Sequence, residues 1–254
     1  MKHLSIFLLG FVVLFGASAA FAQEGSLEIV PQEKKYTRTG ADVPDFKKTF
    51  TVRKPVIKTK VDQDVREHIE DAIDFWRVFE MDLEESLTDF TWLENFDYEV
   101  QYNANDLLSI ALFAEGSAAY PSSATRWVTL DTRTGEILTI DDLFTHETQP
   151  GLLKLINQKM IANEAAAIKE DPDVKEALRD QRVSYGEDIQ PGAGKLTYEK
   201  LAGFFITERG VTFVYDYGFP HVMLALEPSG HFEFAFSELK PFVASGSLLE
   251  KLVR

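Results

Sequence analysis

The sequence predicts an α+β fold in which helices cover an antiparallel sheet. Three observations carry this. Short segments with period-2 alternation recur in the middle and at the end of the chain, as half-buried strands do. Stretches at residues 62–87 and 151–169 place apolar residues at three- and four-residue steps, as helices with one buried face do. Successive strand candidates are joined by short turns, which suits a meander. The chain has 254 residues, 45% hydrophobic and 26% charged, which is globular composition with enough length to bury a core.

Residues 1–22 read as a secretory leader. Lys2 and His3 give a positive start, Leu4 to Ala17 is an apolar run, and Ala20-Phe21-Ala22 is an A-x-A cleavage pattern. The run is shorter than the ~18 residues a membrane-spanning helix needs. Cleavage after Ala22 is expected, leaving a soluble chain in the periplasm or outside the cell. No later apolar stretch approaches membrane length.

The leader is followed by a strand–helix module over residues 23–90 and an α+β domain over 91–254. The two form either one body or lobes meeting near Leu87–Phe96. Residues 23 to about 45 are polar and read as an arm with one short strand at Ser26–Val30. Lys48–Ile57 alternates as a strand, and Pro55 inside it favours an edge position. One long helix is predicted from Asp62 to Leu87, with Val65, Ile69, Ala72, Ile73, Trp76, Phe79 and Leu83 as its stripe.

Strands are predicted at Phe96–Asn103, Leu107–Glu115, Thr125–Asp131 and Glu136–Ile140, with Gly135 closing a turn after Asp131. Asp141-Asp142 caps a short helical turn through Leu143-Phe144. Helices follow at Gly151–Lys169, with Leu152, Leu155, Ile156, Met160 and Ile161 on one face, and at Pro172–Gln181. After a loop from Gly186 to Gly194, strands return at Phe204–Thr207, Val211–Tyr217 and His231–Phe236. Ser237–Arg254 reads as a terminal helix broken near Gly246.

The absence of cysteine excludes disulfides, thiolate metal sites, a cysteine nucleophile and a lipoprotein anchor. A net charge of -15 argues against nucleic acid, whose phosphates are gripped by clustered Lys and Arg. Cleavage of the leader removes Lys2 and no acid, so the mature chain is more acidic still. Among the histidines, His68 and His146 have no ligand partner at metal-site spacing, and His221 and His231 lie where strands could bring them together. No cofactor or metal is expected. Asp141, Asp142 and Asp216 are the acids to weigh for glycan hydrolysis, which needs two carboxyls opposed across a cleft. The serines form no G-x-S-x-G elbow.

Two loops stand out as binding surfaces. Glu115–Ser123 sets small residues around Tyr120 and Pro121, and Tyr215–His221 holds Tyr217, Phe219 and His221. Aromatic anchors on rigid loops commonly build interfaces. Alternation of Tyr215, Tyr217 and Phe219 is equally what a core-facing strand produces.

The segment Trp127-Val128-Thr129-Leu130-Asp131-Thr132-Arg133-Thr134-Gly135-Glu136-Ile137-Leu138-Thr139-Ile140-Asp141-Asp142-Leu143-Phe144 resembles a bacterial extracytoplasmic domain of unknown function. That domain is the outer part of the anti-sigma factor RsiV and a non-catalytic part of the peptidoglycan deacetylase PdaC. Its hallmark is an L-D-x-x-T-G-like turn followed by L-T-x-x-D-L-F. Phe204–Thr207, Gly210–Phe213, Tyr217–Pro220 and Phe232–Leu239 are similar to its C-terminal half, and Lys48–Leu87 to the module that precedes it. Relatives often carry a G-G-A-H-P-like loop where this chain has Ser117-Ala118-Ala119-Tyr120-Pro121. The resemblance implies a recognition module of the cell envelope rather than an enzyme. In RsiV the domain binds lysozyme, so a basic lysozyme-like protein or a peptidoglycan fragment is the implied partner. With no membrane-length segment after the leader, a full anti-sigma role is not expected.

Overall fold

The computed structural model describes residues 24–89, 92–184 and 196–254. The leader at 1–22 and the loop at 186–194 lie outside the described residues. The fold is α+β. Five strands form one sheet in sequence order: β1 (Ile29–Thr37), β2 (Thr49–Ile57), β3 (Leu93–Ala104), β4 (Leu107–Ser117) and β5 (Pro121–Asp131). Every neighbouring pair is antiparallel except β2 and β3, which are parallel. A second sheet holds β6 (Leu201–Ile206), β7 (Gly210–Tyr215) and β8 (His231–Ala235).

The polar stretch after the leader is not an arm: β1 runs to Thr37 and pairs with β2 along its whole length. Its exposed Lys34 and Lys35 suit a sheet edge, where charge discourages pairing with other chains. Pro55 does not lie in an edge strand, since β2 is flanked by β1 and β3. Pro55 sits opposite Pro31, a pair that asks for no N–H, and β2 meets β3 only at Thr51 and Val52.

The predicted long helix is three short ones: α1 (Gln63–Ala72), α2 (Phe75–Val78) and α3 (Leu83–Thr88). The cause is capping. The Arg77 amide donates to Asp74 Oδ1 at 3.1 Å and the Glu85 amide to Asp82 Oδ1 at 2.8 Å, so each acid starts a new helix. Between them Glu80 takes a positive φ of 53°, which ends α2. The apolar stripe survives these breaks. Ile69, Ala72, Ile73 and Phe75 are buried against the sheet, and Phe96 stacks with Phe75 at 4.8 Å and Phe79 at 5.4 Å.

Asn105 and Asp106 both have positive φ and join β3 to β4 as a two-residue hairpin. After β5, Gly135 (φ 78°) closes the turn as predicted, with its amide on Asp131 O at 2.8 Å. Glu136–Ile140 is not a strand. It makes only an isolated bridge, Leu130–Ile137, because Thr139 begins the next helix at once: its amide donates to Asp142 Oδ2 at 2.7 Å. That helix is α4 (Ile140–Leu143).

Helices α5 (Gln149–Glu170) and α6 (Asp173–Ser184) cover the second sheet. Leu152, Ile156 and Met160 are buried as predicted, whereas Ile161 turns outward. The C-terminus is not one broken helix. It holds α7 (Phe236–Leu239) and a 3-10 turn at Leu248–Lys251, separated by Pro241 and by Gly246 at φ 82°.

The core has two parts. One lies between α1–α3 and the five-stranded sheet, the other between the second sheet and α5, α6 and α7. A buried hydroxyl joins them: Ser109 Oγ on β4 is 2.9 Å from Thr129 Oγ1 and accepts from the Ile206 amide at 3.0 Å. Among the described residues no helix is long and apolar enough to cross a membrane.

Candidate functional site

The tip of the β4–β5 hairpin overhangs the segment that follows β7, and a cleft of about 720 Å³ opens between them. Close packing fixes the base of this hairpin. A Cβ on Gly116 would stand 1.8 Å from Trp92 O, so only glycine lets β4 run past the start of β3. On the far side, Gly218 (φ 65°) donates its amide to Asp216 Oδ1 at 2.7 Å and turns the chain out of β7. A 3-10 turn, His221–Leu226, completes that wall.

Tyr120 at the hairpin tip is 62% exposed and stacks on exposed His221, with ring centroids 5.1 Å apart and planes 25° apart. Pro121 is exposed beside it and lines the cleft. The structure thus brings together three of the five residues singled out in the two loops. The other two face inward. Tyr217 is 6% exposed and Phe219 7%, packed edge to face at 6.2 Å, and the Tyr217 ring also meets Tyr215 at 4.8 Å. The alternation of Tyr215, Tyr217 and Phe219 is core packing, so Tyr217 offers no contact surface and Phe219 only a rim of the cleft.

Four acids line the cleft: Glu94, Glu115, Asp216 and Glu227. Among the described residues that line it there is no Lys or Arg. Glu94 is held below the usual carboxylate range by hydrogen bonds from Lys47 and Ser117 and by the Lys47 charge, against the opposing effect of burial. Glu227 is pushed up, first by burial and then by the charge of Asp216. The two acids are therefore shifted in opposite directions within one cleft.

The remaining sequence candidates lie away from the cleft. Asp142 caps α4, and Asp141 accepts from Gln149 Nε2 at 2.7 Å. His68 Nδ1 lies 3.3 Å from Thr134 O and packs beneath the Gly135 turn. His146 is exposed in the loop before α5. His221 and His231 do not share a site: His231 sits edge-on to Trp127 and Phe205, each at 6.0 Å. Among the described residues, no group of three or more His, Asp or Glu could hold a metal ion. Glu94, Glu115 and Glu227 were not singled out in the sequence. They come from three separate segments and share no spacing.

No family model matches the chain, and no curated protein matches it. Solved structures do. A member of the DUF3298 family from Bacteroides fragilis is similar with a TM-score of 0.55 at 14% identity, over 91% of this chain and 98% of that one. A DUF3298 family protein from Pseudomonas aeruginosa PAO1 is similar with a TM-score of 0.56 at 13% identity, over 90% of this chain and 97% of that one. At such identities the likeness is one of fold, and it extends over nearly the whole of both neighbours.

Proposed function

We propose that the protein is an exported, non-enzymatic recognition module of the cell envelope whose partner is a basic, lysozyme-like protein. The observation that carries this reading is the acidic cleft with the exposed Tyr120–His221 stack on its rim. An aromatic pair supplies contact area at little conformational cost, and carboxylates around it select a cationic partner and speed its approach. Exposed Leu224 lines the same cleft and Val222, 81% exposed, lies beside it, so the rim is apolar as well as charged. The chain's net charge of -15 acts in the same direction at longer range. The RsiV-like motif after β5 agrees with this reading, and a peptidoglycan fragment is the other partner it allows.

The test is binding of a basic c-type lysozyme to variants of the cleft. Tyr120→Ala with His221→Ala is expected to weaken binding about tenfold or more. Glu115→Gln with Asp216→Asn is expected to slow association and flatten its salt dependence. Unchanged affinity in both double variants would place the contact surface elsewhere.

One observation favours a second reading, an envelope glycan hydrolase. Glu227, pushed up by burial and by the charge of Asp216, lines one cleft with Asp216, two carboxyls in the kind of setting glycan hydrolysis uses. Release of reducing ends from peptidoglycan by the wild type, abolished in Glu227→Gln, would establish it. No release from wild type would remove it.

A further inference from the structure

Lys47 is 1% exposed, one of the largest fully buried side chains. A buried ammonium is costly unless each of its protons finds an acceptor. Here all three do: Nζ donates to Glu94 Oε1, to Ser117 O at 2.6 Å and to Ser117 Oγ at 2.7 Å. Ser117 Oγ in turn donates to Glu94 Oε1 at 2.7 Å, closing a ring of three side chains.

The backbone beneath this ring is also held by a buried cation. Arg38, 3% exposed, donates from Nη1 to Lys47 O at 2.6 Å, from Nη2 to Leu93 O at 2.6 Å and from Nε to Ser86 O at 3.0 Å. Arg38 therefore sets the main chain that presents Lys47 and Glu94, and those two side chains grip Ser117. Ser117 is the last residue of β4 and pairs with Pro121 across the tip. Beyond it Ala118 to Ser123 are all exposed, and the tip meets the far wall of the cleft through the Tyr120–His221 stack.

Apolar side chains in place of both Lys47 and Glu94 would fill this space at little cost in stability, since a buried ion pair is on balance no better than good packing, whereas removing one member alone leaves the other without its partner. What they would not do is hold a hairpin tip in one place. We propose that Lys47 is a positioning residue, a buried pin that fixes the β4–β5 hairpin tip and with it the Tyr120 ring at the cleft. The pin holds whether or not the cleft takes a basic protein; only its effect on affinity rests on that reading.

The experiment is amide hydrogen exchange on the full chain, following the amides of residues 118–120, 122 and 123 and, as an internal reference, β7. In Lys47→Met, exchange at the tip is expected to rise on the order of tenfold, as for loss of a hydrogen bond to a charged group, with β7 unchanged. Unchanged protection of the tip in a folded Lys47→Met overturns the proposal, as does a rise of equal size in β7. Should Lys47→Met not fold, Ser117→Ala and Glu94→Gln alter the same ring from partly exposed positions. A rise confined to the tip in either supports the pin, and no rise in both overturns it. Lysozyme titration of the same proteins separates the two readings: failure of wild type to bind leaves the exchange result intact.

Discussion

At the scale of single residues, buried polar groups decide how the parts of this molecule are held. Ser109 is fully buried and its hydroxyl is the acceptor for the Ile206 amide, a point where the first sheet meets the second. Ser109→Ala leaves that amide without a partner and is expected to cost about 1–3 kcal/mol in denaturant unfolding. An unchanged midpoint would show that the contact is dispensable. Glu94 gives a pH signature. Its folded value lies below that of an ordinary carboxyl, so its contribution to stability is present above the ordinary carboxylate range and disappears as pH falls through the lowered folded value. The gap in melting temperature between wild type and Glu94→Gln should be open at neutral pH and close on acidification. A gap that stays constant with pH would contradict the Lys47–Glu94–Ser117 ring.

At the scale of elements, the acids of the α1–α3 region do local work that periodicity does not reveal. Asp82→Ala removes the cap of α3 and is expected to cost about 1 kcal/mol by urea unfolding, although the side chain is exposed. The apolar stripe from Ile69 to Phe79 was legible because burial repeats at helical steps, and the break into three helices was not, because a cap acid and a surface acid look alike in sequence. Residues 136–140 show the same limit. Their alternation suits a strand, yet the Thr139–Asp142 cap starts α4 before a ladder can form. The strands at Leu107 and Thr125 were legible as apolar runs between turn signals; β4 is buried on both faces, with Leu107 to Leu112 all buried, Leu107 in one core and Leu108, Ile110 and Leu112 in the other. The polar β1 was not, since an edge strand held by its backbone need carry no apolar pattern.

At the scale of the whole molecule, the cleft exists because two sheets, joined near Ser109, leave the β4–β5 tip opposite the chain that follows β7. Tyr120 and His221 were visible in the sequence as aromatic loop residues, but so were Tyr217 and Phe219, and only the packing of the second sheet separates rim from core. Of the acids in the cleft the sequence marks out Asp216; Glu94, Glu115 and Glu227 were illegible for a related reason, since the four meet only through tertiary structure. The central claim is that this acidic, aromatic-rimmed cleft recognises a basic protein. Calorimetric titration of residues 23–254 with a basic c-type lysozyme, at low and at high salt, tests it most directly. The account predicts micromolar or tighter binding that weakens as salt rises. No heat at either ionic strength, across a range of temperatures, would contradict it.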